Sequence, residues 1–254
     1  MKLLFCRAFA LTLMALSVAA SAQPAPPQQA VRAGFTRLIF NDDFLTLDLS
    51  ADGEGDHAWY NNLWYQAPSE RDRFRLEGGI LTLATRDDRV NMTSIVTVPH
   101  KNGRRTIFGH GYFEARLKWP SDPNNFAAFW LFSDAHARGT DGDHWCEIDI
   151  YESFKDDLYL GTVHEWRPKR STPNPNNYHR LSAPIAVNQW NIYGLLWEKG
   201  KVTWYLNNVE QMSATTPEIC EAQKLFLILS AQKRGGKADQ TLSVDWVRVF
   251  AAPD

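Results

Sequence analysis

The feature that most constrains this chain is alternation. Between residues 111 and 119, Tyr112, Glu114, Arg116 and Lys118 alternate with Phe113, Ala115, Leu117 and Trp119. A period of two puts the apolar set on one face of a strand and the polar set on the other, which no helix can do. The same pattern recurs along the chain. Residues 38–40 open the fold, residues 80–85 follow the Gly78-Gly79 turn, and residues 94–98 are rich in β-branched side chains. Further strands are expected at 127–132, 146–151, 158–163, 190–197, 202–206, 224–229 and 242–250. Turn residues such as Lys199-Gly200 and Asn207-Asn208 separate them, and no stretch sustains a helical period. Many short strands with frequent turns predict an all-β sandwich or jelly roll, in which one sheet can carry a ligand cleft.

The ends of the chain bound the domain. Lys2 and Arg7 flank an apolar run over 8–20, closed by the small residues Ala20-Ser21-Ala22. This is the pattern of a signal peptide over 1–22. A Pro-rich linker is expected over 23–34 and a single domain over 35–254. No other run is apolar enough to anchor in a bilayer, which takes about 20 residues. The mature protein is therefore expected to be secreted or periplasmic, monomeric and free of the membrane. A net charge of −2 gives no reason to expect nucleic acid as a partner. Cys6 falls in the leader. Cys146 and Cys220 remain, either as a pair in an oxidising compartment or as two buried thiols. No cysteine–histidine cluster has zinc spacing. The ten tryptophans exceed what one core requires. Tryptophan suits clefts with one polar side, and its flat ring complements the C–H face of a sugar.

The chemistry concentrates in Glu147-Ile148-Asp149-Ile150-Tyr151-Glu152. Along a regular strand residues 147 and 149 share a face, while 152 points the other way. One extra residue, a β-bulge near Ile150-Tyr151, restores Glu152 to that face. Three carboxylates then line one cleft, and like charges force their acidities apart. Two carboxyl groups of this kind suit a retaining glycosidase. Glu147 is assigned as the ionised nucleophile and Glu152 as the acid/base. Asp149 is expected to hydrogen-bond Glu147 and tune both. The plainer alternative, a solvent-facing acidic strand, is disfavoured because strands are poor in Asp and Glu. The calcium-loop pattern with its central glycine is absent.

Glu-Ile-Asp-Ile-Tyr-Glu resembles the bulged Glu-x-Asp-x-x-Glu signature of glycoside hydrolase family 16. Five further blocks resemble that family in the same order: residues 38–44, 108–116, 128–131, 192–207 and 244–249. The resemblance implies a concanavalin-like β-jelly-roll of two antiparallel sheets, and retaining endo-hydrolysis of a β-linked polysaccharide without a cofactor. It implies the catalytic roles above for Glu147, Asp149 and Glu152. It places Trp145 and Glu114 against neighbouring sugars and His164 in the cleft, with Trp130 as cleft wall or core. It also implies a structural calcium held by Asp245 and Gly79. The chain departs from the pattern at Asn207-Asn208, which replaces Asp-Gly. It departs again at Ser230, where many members have a cleft Asn, with Gln232 two residues on along the same face.

The polysaccharide is expected to be a β-1,3- or mixed-linkage glucan. An agarase-, porphyranase- or carrageenase-like galactan hydrolase is the runner-up, and a lectin-like sugar-binding module is the non-enzymatic alternative. Sulfated galactan would need cationic contacts, for which Arg71, Arg73, Arg167, Lys169 and Arg170 are available. Trp59, Trp64 and Trp145 are the expected aromatic platforms.

Overall fold

Alternating segments become strands wherever one face finds a core. The computed structural model describes residues 23–85, 92–119, 125–153, 158–167, 172–173, 178–180, 188–233 and 241–254. The expected leader, Lys169 and Arg170 lie outside the described residues. The strands are β1 (Arg37–Asp42), β2 (Leu49–Ser50), β3 (Trp59–Tyr60), β4 (Phe74–Glu77), β5 (Ile80–Ala84), β6 (Thr93–Val96), β7 (Gly111–Lys118), β8 (Asn125–Ser133) and β9 (Trp145–Glu152). They continue as β10 (Leu158–Trp166), β11 (Thr172–Pro173), β12 (Tyr178–Arg180), β13 (Asn191–Glu198), β14 (Lys201–Leu206), β15 (Val209–Thr215), β16 (Leu225–Lys233) and β17 (Thr241–Ala251). Three short helices accompany them: α1 (Gln28–Arg32), α2 (Asp134–Ala137) and α3 (Glu218–Ala222).

Two sheets form. The back sheet runs β15-β14-β13-β7-β17-β5-β4, with β1 also on β17. The front sheet runs β11-β10-β9-β8-β16-β6-β3-β2, with β12 also on β10. Pairing is antiparallel except for the short β2–β3 contact. This is the expected jelly-roll sandwich. Between the sheets, Phe113, Ala115, Leu117, Val244, Val247 and Val249 of the back sheet meet Phe129, Leu131, Ile148, Leu227 and Leu229 of the front sheet. Each large apolar side chain removed from water there contributes about 2 kcal/mol. The front sheet's other face carries a second cluster, with Tyr60, Val96, Trp130, Phe132 and Phe226 at its centre and Trp64 and Trp145 packed on it. That aromatic outer face is where a ligand can lie.

Two segments depart from expectation. Residues 28–32 are helical inside the expected linker. Ala30 and Phe35 pack with Tyr112, Leu196, Tyr205 and Phe250 on the outer face of the back sheet. Gln29 Nε2 donates to the Tyr112 hydroxyl at 2.7 Å and to Asn208 Oδ1 at 2.9 Å. A five-residue helix is marginal alone, so this tertiary packing is what forms it. The loop after β8 likewise opens with α2, capped by Ser133 Oγ accepting from the His136 N–H. Asn207 and Asn208 take positive φ values of 50° and 66°, as a tight hairpin turn requires. Cys146 and Cys220 form a disulfide across 74 residues, which in the chain-entropy account contributes about 4 kcal/mol.

Candidate active site

The register of β9 settles where its carboxylates point. Against β8, Glu147 faces Phe132, Asp149 faces Trp130, Tyr151 faces Phe129 and Glu152 faces Ala128. Ile150 is therefore the extra residue. The same slip appears against β10, where Thr162 faces Asp149 and Leu160 faces Glu152. The bulge turns Glu152 to the face of Glu147 and Asp149. All three line one pocket with Met92, Phe126, Ala128, Trp130 and Ser230. Ile148, Ile150 and Tyr151 are buried. Trp204 reaches across from the back sheet and donates its indole N–H to the Asp149 carbonyl at 2.8 Å, where the ladder slips. Gly161 lies opposite the bulge, and a Cβ there would collide with the Trp204 indole.

Burial and like charge set the electrostatics. The Glu147 side chain is 16% exposed and that of Asp149 only 3%. Burial raises the pKa of Glu147 well above the usual carboxylate range, and the charges of Asp149 and Glu152 raise it further. The His164 charge and a 3.0 Å hydrogen bond from Trp166 Nε1 to Glu147 Oε2 oppose this by favouring the anion. Burial also raises Asp149, opposed by a hydrogen bond it shares with Glu152. Asp149 therefore hydrogen-bonds Glu152 and acts on Glu147 through charge, whereas the sequence suggested a bond to Glu147. His164 Nε2 lies 3.0 Å from Asp149 Oδ2 and 4.0 Å from Glu147 Oε1. The approach to Asp149 lies off the hydrogen-bond axis, and among the described residues Oδ2 has no aligned donor. A proton held between Asp149 and Glu152 removes the charge that most disfavours ionised Glu147, which is the division of labour two catalytic carboxylates need.

The profile of Glycosyl hydrolases family 16 matches residues 89–248. The chain belongs to this family. It is 25% identical over 212 residues to endo-1,3-1,4-beta-glycanase ExsH of Rhizobium meliloti, covering 78% of this chain and 43% of that protein. It is 31% identical over 120 residues to the kappa-carrageenase of Pseudoalteromonas carrageenovora, covering 41% of this chain and 30% of that protein. The chain thus spans less than half the length of either relative. The crystal structure of laminarinase from Flavobacterium sp. UMI-01 shares the fold, with a TM-score of 0.65 at 20% identity over 84% of this chain and all of that one.

Among the residues the family 16 resemblance singled out, several converge on the carboxylates. Trp130 forms pocket wall, its N–H donated to Ser230 Oγ at 3.1 Å. Gln232 follows Ser230 on the same face, opposite the pocket residue Phe126. Trp145 stacks on His136 at 3.6 Å and faces Trp166 at 6.2 Å, and its buried N–H has no acceptor among the described residues. Trp64 stacks on Phe132 at 4.0 Å. Sequence reasoning missed Trp166 and Tyr65. Trp166 is paired directly with Trp145 across β9 and β10, two residues beyond His164, so period two alone signals its face. Tyr65 is 58% exposed and packs edge-on against Trp64 at 4.9 Å, and burial and then the Glu147 charge raise its hydroxyl.

Other residues do not converge. Glu114 points out of the back sheet beside Tyr112 and Arg248, on the side opposite the carboxylates, so it meets no sugar in this cleft. Its strand belongs to the other sheet, which alternation alone does not reveal. Trp59 is fully buried between the sheets, with its N–H donated to Asp42 Oδ2 at 2.7 Å. Arg71 is exposed on the 3₁₀ turn Arg71–Arg73 and is not among the pocket's lining residues. The Asp245 carboxylate is ion-paired with Arg116, while Gly79 turns beside the Asp43 carbonyl. A guanidinium on that carboxylate does not fit a calcium site. Among the described residues, the one grouping of three side chains with metal-ligand atoms is Glu147, Asp149 and His164, within 4.8 Å of one another. The carboxylate chemistry above accounts for it.

Proposed function

We propose that this chain is a retaining endo-glycosidase that cleaves a β-1,3- or mixed-linkage glucan. The observation that carries this reading is the bulge at Ile150, which gathers Glu147, Asp149 and Glu152 in one aromatic-walled pocket. Glu147 attacks the anomeric carbon, and Glu152 gives its proton to the departing glycosidic oxygen. Water then enters, Glu152 takes its proton, and Glu147 is released with net retention. Asp149 hydrogen-bonds Glu152 and acts on Glu147 through charge. Trp166 N–H and His164 hold Glu147 as an anion. Trp145 is the platform for the sugar beside the cleavage point.

The family match, ExsH and the laminarinase fold support a glucan. The kappa-carrageenase likeness supports the galactan alternative, but among the described residues no cation lines the carboxylate pocket. Arg167 is paired with Glu165 at 2.6 Å, and Arg71 does not line the pocket. A neutral chain fits better. Export to an oxidising compartment is part of the proposal, supported by the leader pattern and the Cys146–Cys220 pair.

Hydrolysis of laminarin and mixed-linkage glucan, set against agarose and κ-carrageenan, tests the substrate. NMR of the first-formed anomer tests retention. Laminarin or mixed-linkage glucan is expected to be cut with a β-anomer appearing first, and Glu147→Gln is expected to be inactive. Inversion, or full activity in Glu147→Gln, would overturn the mechanism. Sugar binding with no cleavage by the wild type would mark a lectin-like module.

A further inference from the structure

β9 is paired along its whole length on one side only. Against β10 the register runs from Trp145 with Trp166 to Glu152 with Leu160. Against β8 it stops at Glu147 with Phe132, because the chain turns into α2 after Ser133. The backbone just before Glu147 therefore lacks a strand on that side. Gln223, the residue after α3, stands there instead. Its Oε1 accepts from the Cys146 N–H at 3.0 Å, and its Nε2 donates to the His144 carbonyl at 3.0 Å. A side-chain amide offers one acceptor and donors in one plane, as a peptide group does. Gln223 thus continues the ladder where β8 ends.

The anchor has a rigid base. Cys146 turns to the core and is bonded to Cys220 in the same short helix. Its two neighbours, Trp145 and Glu147, face the cleft. On the far side of the helix, Glu221 Oε1 accepts from Thr216 Oγ1 at 2.6 Å and from the Gly200 N–H at 3.1 Å, and Oε2 lies 2.7 Å from His110 Nε2. Those three residues belong to turns and strand ends of the back sheet. α3 is therefore a strut between the back sheet and the segment carrying Glu147.

We propose that Gln223 is a positioning residue for Glu147, holding the strand so that its carboxylate sits at attacking distance. This rests on the reading of Glu147 as nucleophile. Small displacements of a reacting group are costly in rate while leaving binding largely intact. Gln223→Met keeps the volume and loses both hydrogen bonds. Its kcat is expected to fall roughly 10-fold or more, with KM within about twofold of wild type. Labelling by an activated 2-deoxy-2-fluoro glucoside is expected to slow in parallel, because that step reports attack by Glu147. Gln223→Glu keeps the acceptor for Cys146 and has a donor for His144 only when protonated. Its kcat is expected to drop with rising pH along a limb the wild type lacks.

A purely structural role predicts lower thermal stability with kcat per folded enzyme, labelling rate and pH profile unchanged, and that result overturns the proposal. If Gln223→Met does not fold, Gln223→Glu decides: a wild-type pH profile overturns the proposal and a new limb supports it. Failure of the underlying reading is separate, since it appears as an inactive wild type or an active Glu147→Gln.

Discussion

At the scale of single residues, three carboxylates share one buried site, and burial and like charge force their acidities apart. Burial alone raises both Glu147 and Asp149, and their mutual repulsion raises Glu147 further. What favours a Glu147 anion against that rise is local: the His164 charge and the Trp166 N–H. Trp166→Phe removes the hydrogen bond and keeps the ring. Because that bond favours the anion, its loss raises the Glu147 pKa. The acid limb of kcat/KM is expected to move to higher pH, with a drop of about 10-fold on its plateau, since a hydrogen bond to a charged group is worth at least 1.5 kcal/mol. A pH profile that keeps its acid limb would show that Trp166 serves only as packing. The three acids were legible in the sequence because strands rarely carry such a cluster. Trp166 was not, because it lies on the next strand and becomes a neighbour only through register.

At the scale of the element, the bulge in β9 is the decisive feature. It was legible because the 147–149–152 spacing is odd for a strand whose acids must share a face. Its support was not legible. Gly161 on β10 leaves room for Trp204, whose N–H satisfies the Asp149 carbonyl at the slip. Gly161→Ala is expected to push the indole aside at a cost of about 1–3 kcal/mol, as overpacking does. The measurements are the denaturant midpoint and the tryptophan emission. kcat is expected to fall because Asp149 loses its anchor. Unchanged stability and emission would show that the Gly161–Trp204 fit is dispensable. The helices α1 and α3 escaped the sequence reading for one reason: each is five residues long, too short to show a period, and each is formed by what it packs on.

At the scale of the whole molecule, the sandwich gives each strand two faces with different fates. Glu147 and Glu114 are both glutamates whose pKa is raised by burial, yet one faces the cleft and the other the back. Burial pushes Glu114 up to about 7, with Arg248 pulling it down. The folded chain therefore keeps a proton that the unfolded chain releases. The stabilising contribution is present in full below the unfolded value and is lost as pH rises to about 7. The loss is about 3 kcal/mol at most. Glu114→Gln is expected to flatten stability between roughly pH 4.5 and 7, to raise it at pH 8, and to leave kcat unchanged. Denaturant titrations across that range, paired with activity, check both parts. A change in kcat would mean that the back face communicates with the cleft.

The sequence by itself determined the strand content, the sandwich class and the odd spacing of the three acids. Period-two alternation and turn chemistry are local, and a residue's neighbours in sequence specify them. The tertiary structure alone decided which sheet each strand joined, and hence that Glu114 and Trp59 leave the cleft while Trp166 and Tyr65 enter it. It also closed the Cys146–Cys220 pair, gave the Asp245 carboxylate to Arg116, and placed the Gln223 amide in the ladder beside Glu147. These are contacts between residues tens to more than a hundred positions apart. Alternation says that a strand has two faces; only packing against another sheet says which of them meets the substrate.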